Sequence, residues 1–122
     1  MKKIMIVDDD HGEVRLLESR LSKEGFAVSH AENGEDGLAL LKKDRPDLIV
    51  LDVEMPKMNG YTFIIEMRKD PDCADLPVIV LTSHSENQAI FQRRGIASYL
   101  VKPVNFNLLI PKIHAALAPK ES

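Results

Sequence analysis

The chain has 122 residues, 44% hydrophobic and 29% charged, with a net charge of −3. That length builds one domain with a real core, and the acidic balance gives no electrostatic reason to expect nucleic acid or an anionic membrane as a partner. Apolar runs of no more than about five residues exclude a membrane-spanning helix; the N-terminus turns acidic too soon for a secretory signal; and the lone Cys73 cannot close an internal disulfide, so a cytoplasmic setting is expected.

Short apolar runs alternate with segments of helical period, the order expected of repeated β-α units around a parallel sheet. The first strand is predicted over 3–7. A helix follows with Val14, Leu17 and Leu21 on one face, and Glu24-Gly25 ends it, glycine suiting a left-handed C-cap. Phe26-Ala27-Val28 is a weaker strand that ends near His30. Asn33-Gly34 reads as a turn. Residues 35–43 form a helix with Leu38 and Leu41 inward, and 47–51 form a strand so apolar that both its faces should be covered.

Met55-Pro56-Lys57-Met58-Asn59-Gly60 reads as a loop. A helix over 61–69 turns Ile64 and Met67 inward, and Asp70-Pro71-Asp72 breaks it. Cys73 is read as filler in the loop beyond. The fourth strand spans 78–81. Ser85 with Gln88 has the spacing of a capping box for a short helix over 86–94. The fifth strand spans 98–101, and a last helix spans about 106–117 with Leu109, Ile113 and Ala116 inward. Pro111 falls inside that helix and removes a backbone donor, so either the helix starts late, capped by Asn107, or it bends. The domain is placed at 1–118, with 119–122 as a tail.

The strand ends carry the chemistry. The first strand runs into Asp8, Asp9 and Asp10, the third into Asp52, the fourth into Thr82 and the fifth into Lys102. In a parallel sheet these groups meet at the edge where open α/β sheets place their sites. Crowded carboxylates must protonate or share a cation. An oxygen-only set suits Mg²⁺, and no His or Cys cluster suggests zinc. Capping alone could explain Asp8-Asp9-Asp10, but not Asp52 at the end of a buried strand. A carboxylate so placed can take a phosphoryl group as an aspartyl phosphate, with a cation and a lysine offsetting the phosphoryl charge.

The ordered set Val7-Asp8-Asp9, Asp52 with Met55-Pro56-x-Met58-x-Gly60, Leu81-Thr82-Ser83 and Tyr99-x-x-Lys102-Pro103 resembles the receiver domains of two-component response regulators, over essentially the whole chain. The resemblance implies an α/β fold: a doubly wound, five-stranded parallel sheet in order 2-1-3-4-5, a flavodoxin-like three-layer sandwich. It implies Asp52 as phosphoacceptor. Asp9 and Asp52 would ligate Mg²⁺ by side chain, Glu54 by its backbone carbonyl and Asp8 through a water, with Mn²⁺ able to substitute. Lys102 would pair with the phosphoryl group, Thr82 would hydrogen-bond it, Tyr99 would be the aromatic switch, and Lys102-Pro103 would be cis. The implied donor is a sensor histidine kinase or phosphotransfer protein. The implied output is a downstream partner or output domain, met on the face of the fourth helix, fifth strand and last helix.

Glu54 and His84, two residues beyond Asp52 and Thr82, hold positions that in the family tune the phosphoryl lifetime. The stretch from Thr82 to Gly95 is slightly shorter than the family pattern, so a short fourth helix is expected. His11, His30 and His114 form no constellation. The expected role is a phosphorylation-driven switch that catalyses only its own phosphorylation and dephosphorylation. It would be either stand-alone or a fragment of a larger regulator or hybrid kinase. Three competing readings fit less well. A phosphohydrolase lacks its Asp-x-Asp pair, a flavin domain would not have an acidic first loop, and a degenerate scaffold would not keep the acids, Thr82 and Lys102.

Overall fold

The computed structural model describes residues 1–55 and 57–119. Pro56 of the loop motif, and the predicted tail beyond Pro119, lie outside the described residues. Five strands, β1 (Lys3–Val7), β2 (Ala27–Ala31), β3 (Leu48–Leu51), β4 (Val78–Thr82) and β5 (Ser98–Val101), form one sheet in the order β2-β1-β3-β4-β5. Every neighbouring pair is parallel. The helices are α1 (His11–Lys23), α2 (Gly34–Lys43), α3 (Gly60–Arg68), α4 (Gln88–Gln92) and α5 (Phe106–Leu117). This is the expected doubly wound topology.

Successive strand residues face opposite sides, and the core divides accordingly. Ile4, Ile6, Leu48, Val50, Ile79 and Leu81 pack under α1 and α5, against Leu17, Leu21, Leu109 and Ile113. Met5, Val7, Ile49, Leu51, Val78 and Val80 pack under α2, α3 and α4, against Leu41, Phe63, Ile64, Met67 and Phe91. Full burial of each such side chain is worth about 1.5–3 kcal/mol relative to exposure. Both central strands, β3 and β4, are buried along their whole length, which is why they read as unbroken apolar runs. Cys73 belongs to this core as well, 3% exposed, and not merely to a loop.

The helix ends show local chemistry at work. Asp10 caps α1, accepting from the Gly12 and Glu13 amides. The far end closes with Gly25 at φ +91° and with Phe26 N donating to Leu21 O, the bond that a left-handed glycine permits. Asn33 and Asn59 cap α2 and α3. The Asn33-Gly34 pair is thus a helix start and not a free turn.

Two helices depart from the sequence reading. The capping box of Ser85 and Gln88 does not form: α4 shrinks to five residues, Gln88–Gln92, with Asn87 at its N-cap making no side-chain cap bond. Glu86, placed by sequence inside that helix, instead turns its carboxylate to His84 Nδ1 at 2.9 Å. The expectation of a short fourth helix stands. In α5 neither a late start nor an Asn107 cap occurs. Asn105 caps the helix by accepting from Asn107 N, and Pro111 lies inside it. The Lys102-Pro103 peptide is cis.

Candidate functional site

The sheet delivers its site residues by continuing its ladder one step past the strands. Asp8 N donates to Ala31 O (3.1 Å), Asp52 N to Val7 O (2.9 Å) and Lys102 N to Thr82 O (2.7 Å). The backbones of Asp8, Asp52 and Lys102 are thereby fixed at the carboxyl edge before any side chain interacts. Behind them the loop from β3 folds back tightly: Gly60 N donates to Val53 O at 2.8 Å. A Cβ on Gly60 would meet Asp52 O at 2.7 Å and Val53 Cα at 2.9 Å. Only glycine lets α3 begin this close to the Asp52 backbone.

Asp8, Asp9 and Asp52 each bring a carboxylate oxygen within 4.8 Å of the others. Asp8 and Asp52 are buried and Asp9 is exposed. The Lys102 ammonium stands 3.0 Å from Asp8 Oδ2 and 3.9 Å from Asp52 Oδ2. Burial and the neighbouring Asp8 charge push the Asp52 carboxyl up to about 6, against the pull of Lys102 and of the Glu54 and Val53 amides. Burial works against the Lys102 ammonium, but its hydrogen bond to Asp8 and the charges of Asp52, Asp8 and Glu13 outweigh it and hold its pKa above the ordinary value. Three converging carboxylates with one ammonium beside them leave negative charge uncompensated. That donor set fits a hard divalent cation such as Mg²⁺.

A second group lies beside it. Thr82, fully buried, accepts from His84 N at 3.3 Å. The Tyr99 hydroxyl donates to the His84 carbonyl, and the Tyr99 ring is 8% exposed. His84 in turn bridges two acids, with Nε2 2.7 Å from Glu54 Oε1 and Nδ1 2.9 Å from Glu86 Oε1. The hydrogen bonds to Glu86 and Glu54 raise the His84 pKa, favouring imidazolium. Tyr99 also touches Phe91 of α4 (ring centroids 5.9 Å apart), and Phe91 meets Tyr61 of α3 edge-on at 5.5 Å.

The structure therefore gathers Asp8, Asp9, Asp52 and Lys102 in one cluster, and Thr82, Tyr99, Glu54 and His84 in an adjoining one. The remaining histidines stay apart from both: His11 pairs with Glu32, His30 with Glu18, and His114 packs on Phe26. Sequence reasoning missed two acids. Glu86 carried no signal, because it sat inside an apparent helix. Glu13 was passed over, as a first-turn glutamate carries no special signal, but its Oε1 is buried with no hydrogen-bond partner among the described residues.

Known proteins resemble this chain in sequence and in fold. The family model described as the response regulator receiver domain matches residues 4–114. Among curated relatives, protein PilH of Pseudomonas aeruginosa is 38% identical, over 97% of this chain and 99% of its own length. Among solved structures, response regulator TrrA from Thermotoga maritima in complex with Mg²⁺-BeF superposes with a TM-score of 0.87 and 35% identity, over 96% of this chain and 100% of that one. Chemotaxis protein CheY4 of Vibrio cholerae gives a TM-score of 0.89 at 30% identity, over 96% and 99% of the two chains.

Proposed function

Since this chain belongs to the response regulator receiver domains, we propose that it is a phosphorylation-activated switch. Asp52 accepts a phosphoryl group from a sensor histidine kinase or a phosphotransfer protein, and the α4-β5-α5 face then changes to control a downstream partner or output domain. The observation that carries this reading is the Asp52 carboxylate itself, seated at the sheet edge with Asp8 and Asp9 and 3.9 Å from the Lys102 ammonium. The reading places the protein in the cytoplasm and gives it no external substrate to turn over.

The residues divide the work as follows. An Asp52 carboxylate oxygen forms the new bond to phosphorus, while the bond from phosphorus to the donor breaks and the donor keeps that electron pair. The buried setting that raises the Asp52 pKa also makes its ionised form a better nucleophile. The Asp9 and Asp52 side chains, the Glu54 backbone carbonyl and, through a water, Asp8 would hold Mg²⁺ or Mn²⁺, which when bound would supply positive charge against that of the phosphoryl oxygens. Lys102 turns from Asp8 to the phosphoryl group, a charge-assisted contact. Thr82 donates its hydroxyl to the same group, and Tyr99 occupies the space beneath β4 that this movement leaves. Charge added at Asp52 is thereby converted into a shift of the face that Tyr99 and α4 share.

The test is intact mass after incubation with acetyl phosphate and Mg²⁺. One phosphoryl increment is expected, absent without the cation and absent in Asp52→Asn. If no increment forms and beryllofluoride also fails to bind, the switch reading is wrong and the domain is a scaffold.

A further inference from the structure

Arg94 follows closely on the end of α4 at Gln92, and its guanidinium reaches across to the first turn of α3. Nε and Nη2 both donate to the Tyr61 hydroxyl, at 3.0 and 2.7 Å. The same guanidinium lies 5.1 Å from the centre of the Tyr61 ring. A phenol oxygen that accepts from a charged fork is held more firmly than one that meets a neutral donor, and a cation close to the ring adds to the attraction. The arginine is itself tied to the helix by its backbone: Arg94 N donates to Phe91 O at 2.9 Å, and Gly95 N to Gln92 O at 3.1 Å. One residue therefore joins the last turn of α4 to the first turn of α3.

Three aromatic rings run inward from that join. Tyr61 meets Phe91 edge-on at 5.5 Å, and Phe91 meets Tyr99 at 5.9 Å. Phe91 is the buried residue of α4, and the helix has no side-chain cap at its start. An open cleft of about 600 Å³ runs alongside, lined by Val53, Met55, Tyr61, Ile90 and Phe91. The helix has room to shift into that cleft, and the Arg94–Tyr61 join works against the shift. In the arrangement so held, the Tyr99 ring is 8% exposed and its hydroxyl donates to the His84 carbonyl.

We infer that Arg94 and Tyr61 form a clasp that holds Phe91 against Tyr99, and that both are positioning residues for the inward arrangement of Tyr99. The link from the clasp to phosphorylation rests on the reading of Asp52 as phosphoacceptor, in which Tyr99 fills the space beneath β4. A closed clasp keeps the Phe91 wall of that space in place. An open clasp lets α4 and Phe91 drift toward the cleft, and Tyr99 then has less to pack against. Whatever favours the inward ring also favours the phosphoryl group, and the dependence is reciprocal. Tyr61 and Arg94 both lie outside the motifs that carry the family resemblance, so the clasp adjusts the switch of this chain without touching Asp52.

The test follows the ring NMR signals of labelled tyrosine in the parent, Arg94→Met, Tyr61→Phe and the double variant. The chain has two tyrosines, so Tyr61→Phe leaves Tyr99 as the sole signal and assigns it. Tyr61→Phe keeps the ring on Phe91 and removes the acceptor; Arg94→Met keeps an unbranched stem and removes the donors. Each single variant is expected to move the Tyr99 signal, and the double variant to move it little further, because both remove one contact. Arg93→Met, the same loss of charge one position earlier, should leave it in place. The second reading is beryllofluoride affinity with Mg²⁺, expected to weaken by about twofold to fivefold in each single variant, the worth of an exposed cation–π contact. A merely structural join would lower the melting temperature and move neither reading. An unmoved Tyr99 signal in Arg94→Met overturns the clasp, as do single effects that add in full. A moved signal with unchanged beryllofluoride affinity overturns its link to the switch. A parent that binds no beryllofluoride overturns the Asp52 reading itself, and the Tyr99 signals still decide the clasp.

Discussion

His84 Nε2 lies 2.7 Å from Glu54 Oε1, so one imidazole ties the loop after β3 to the loop after β4. The two loops leave the sheet edge where Asp52 and Thr82 lie. If the tie restricts water at Asp52, its loss speeds hydrolysis of an acyl phosphate there. We predict that His84→Ala and Glu54→Ala each shorten the acyl phosphate lifetime by a factor of about two to five, the scale of an exposed ion pair. The double variant should decay little faster than either single one, because both remove the same contact. Decay is followed by intact mass after donor removal, and parent-like decay in both variants would exclude this role.

Asp52 carries a stability cost that depends on pH. Its folded pKa is about 6 against an ordinary 3.8, so the folded state binds the proton more tightly than the unfolded chain. That contribution is fully present below the unfolded value and is lost as pH rises through the folded one. Metal-free Asp52→Asn should therefore exceed the parent by about 1–2 kcal/mol near pH 7.5 and show no advantage below about pH 4. Urea unfolding across that range measures the difference, and a gain that grows toward acid would contradict it.

A divalent cation should remove that same cost. At about a hundredfold excess over its dissociation constant, Mg²⁺ should stabilise the parent by about 2.7 kcal/mol. Asp9→Asn should lose most of this, because it takes away the exposed member of the carboxylate trio. Thermal or urea unfolding with and without Mg²⁺ reads the effect directly. An equal response of parent and variant would mean that the cation sits elsewhere.

Gly60→Ala should be costly and Gly34→Ala much less so. The new Cβ on Gly60 meets backbone, Asp52 O at 2.7 Å and Val53 Cα at 2.9 Å, which cannot swing aside. The Cβ on Gly34 meets Met58 Cβ, Cγ and Sδ at 2.8–2.9 Å; the last two can repack, while Met58 Cβ moves only with its loop backbone. We expect about 1–3 kcal/mol of destabilisation at Gly60 together with slower phosphorylation. At Gly34 the helix propensity of alanine, about 0.5–1 kcal/mol, should offset part of the strain. Chemical denaturation of the two variants settles the ranking.

Much of this was visible in the residue order. Parallel strands covered on both faces leave unbroken apolar runs, so β3 and β4 announced themselves, and so did the polar residues where they stop. The span of β5 and that of α5 came out as read. The Asn-Gly pairs were ambiguous because asparagine serves turns and helix caps alike; at Asn33 the cap won. The fourth helix was overextended because the Ser85 and Gln88 spacing is a local signal. What decided the matter was a contact of Glu86 with His84, whose ring also holds Glu54 from another loop. Glu13 was invisible for a similar reason. Nothing in a first-turn glutamate says that its oxygen will be covered.

The fourth helix has five residues, no side-chain cap and a single buried anchor, Phe91. That ring touches Tyr61 on one side and Tyr99 on the other. So little holds α4 that its opening free energy should fall at the low end of the molecule's range, where amide hydrogens exchange first. When Tyr99 moves, the anchor of α4 loses or regains a neighbour. A signal sent through this face is then a change in how often one short segment is folded, and a partner that needs the helix intact would sense it as occupancy.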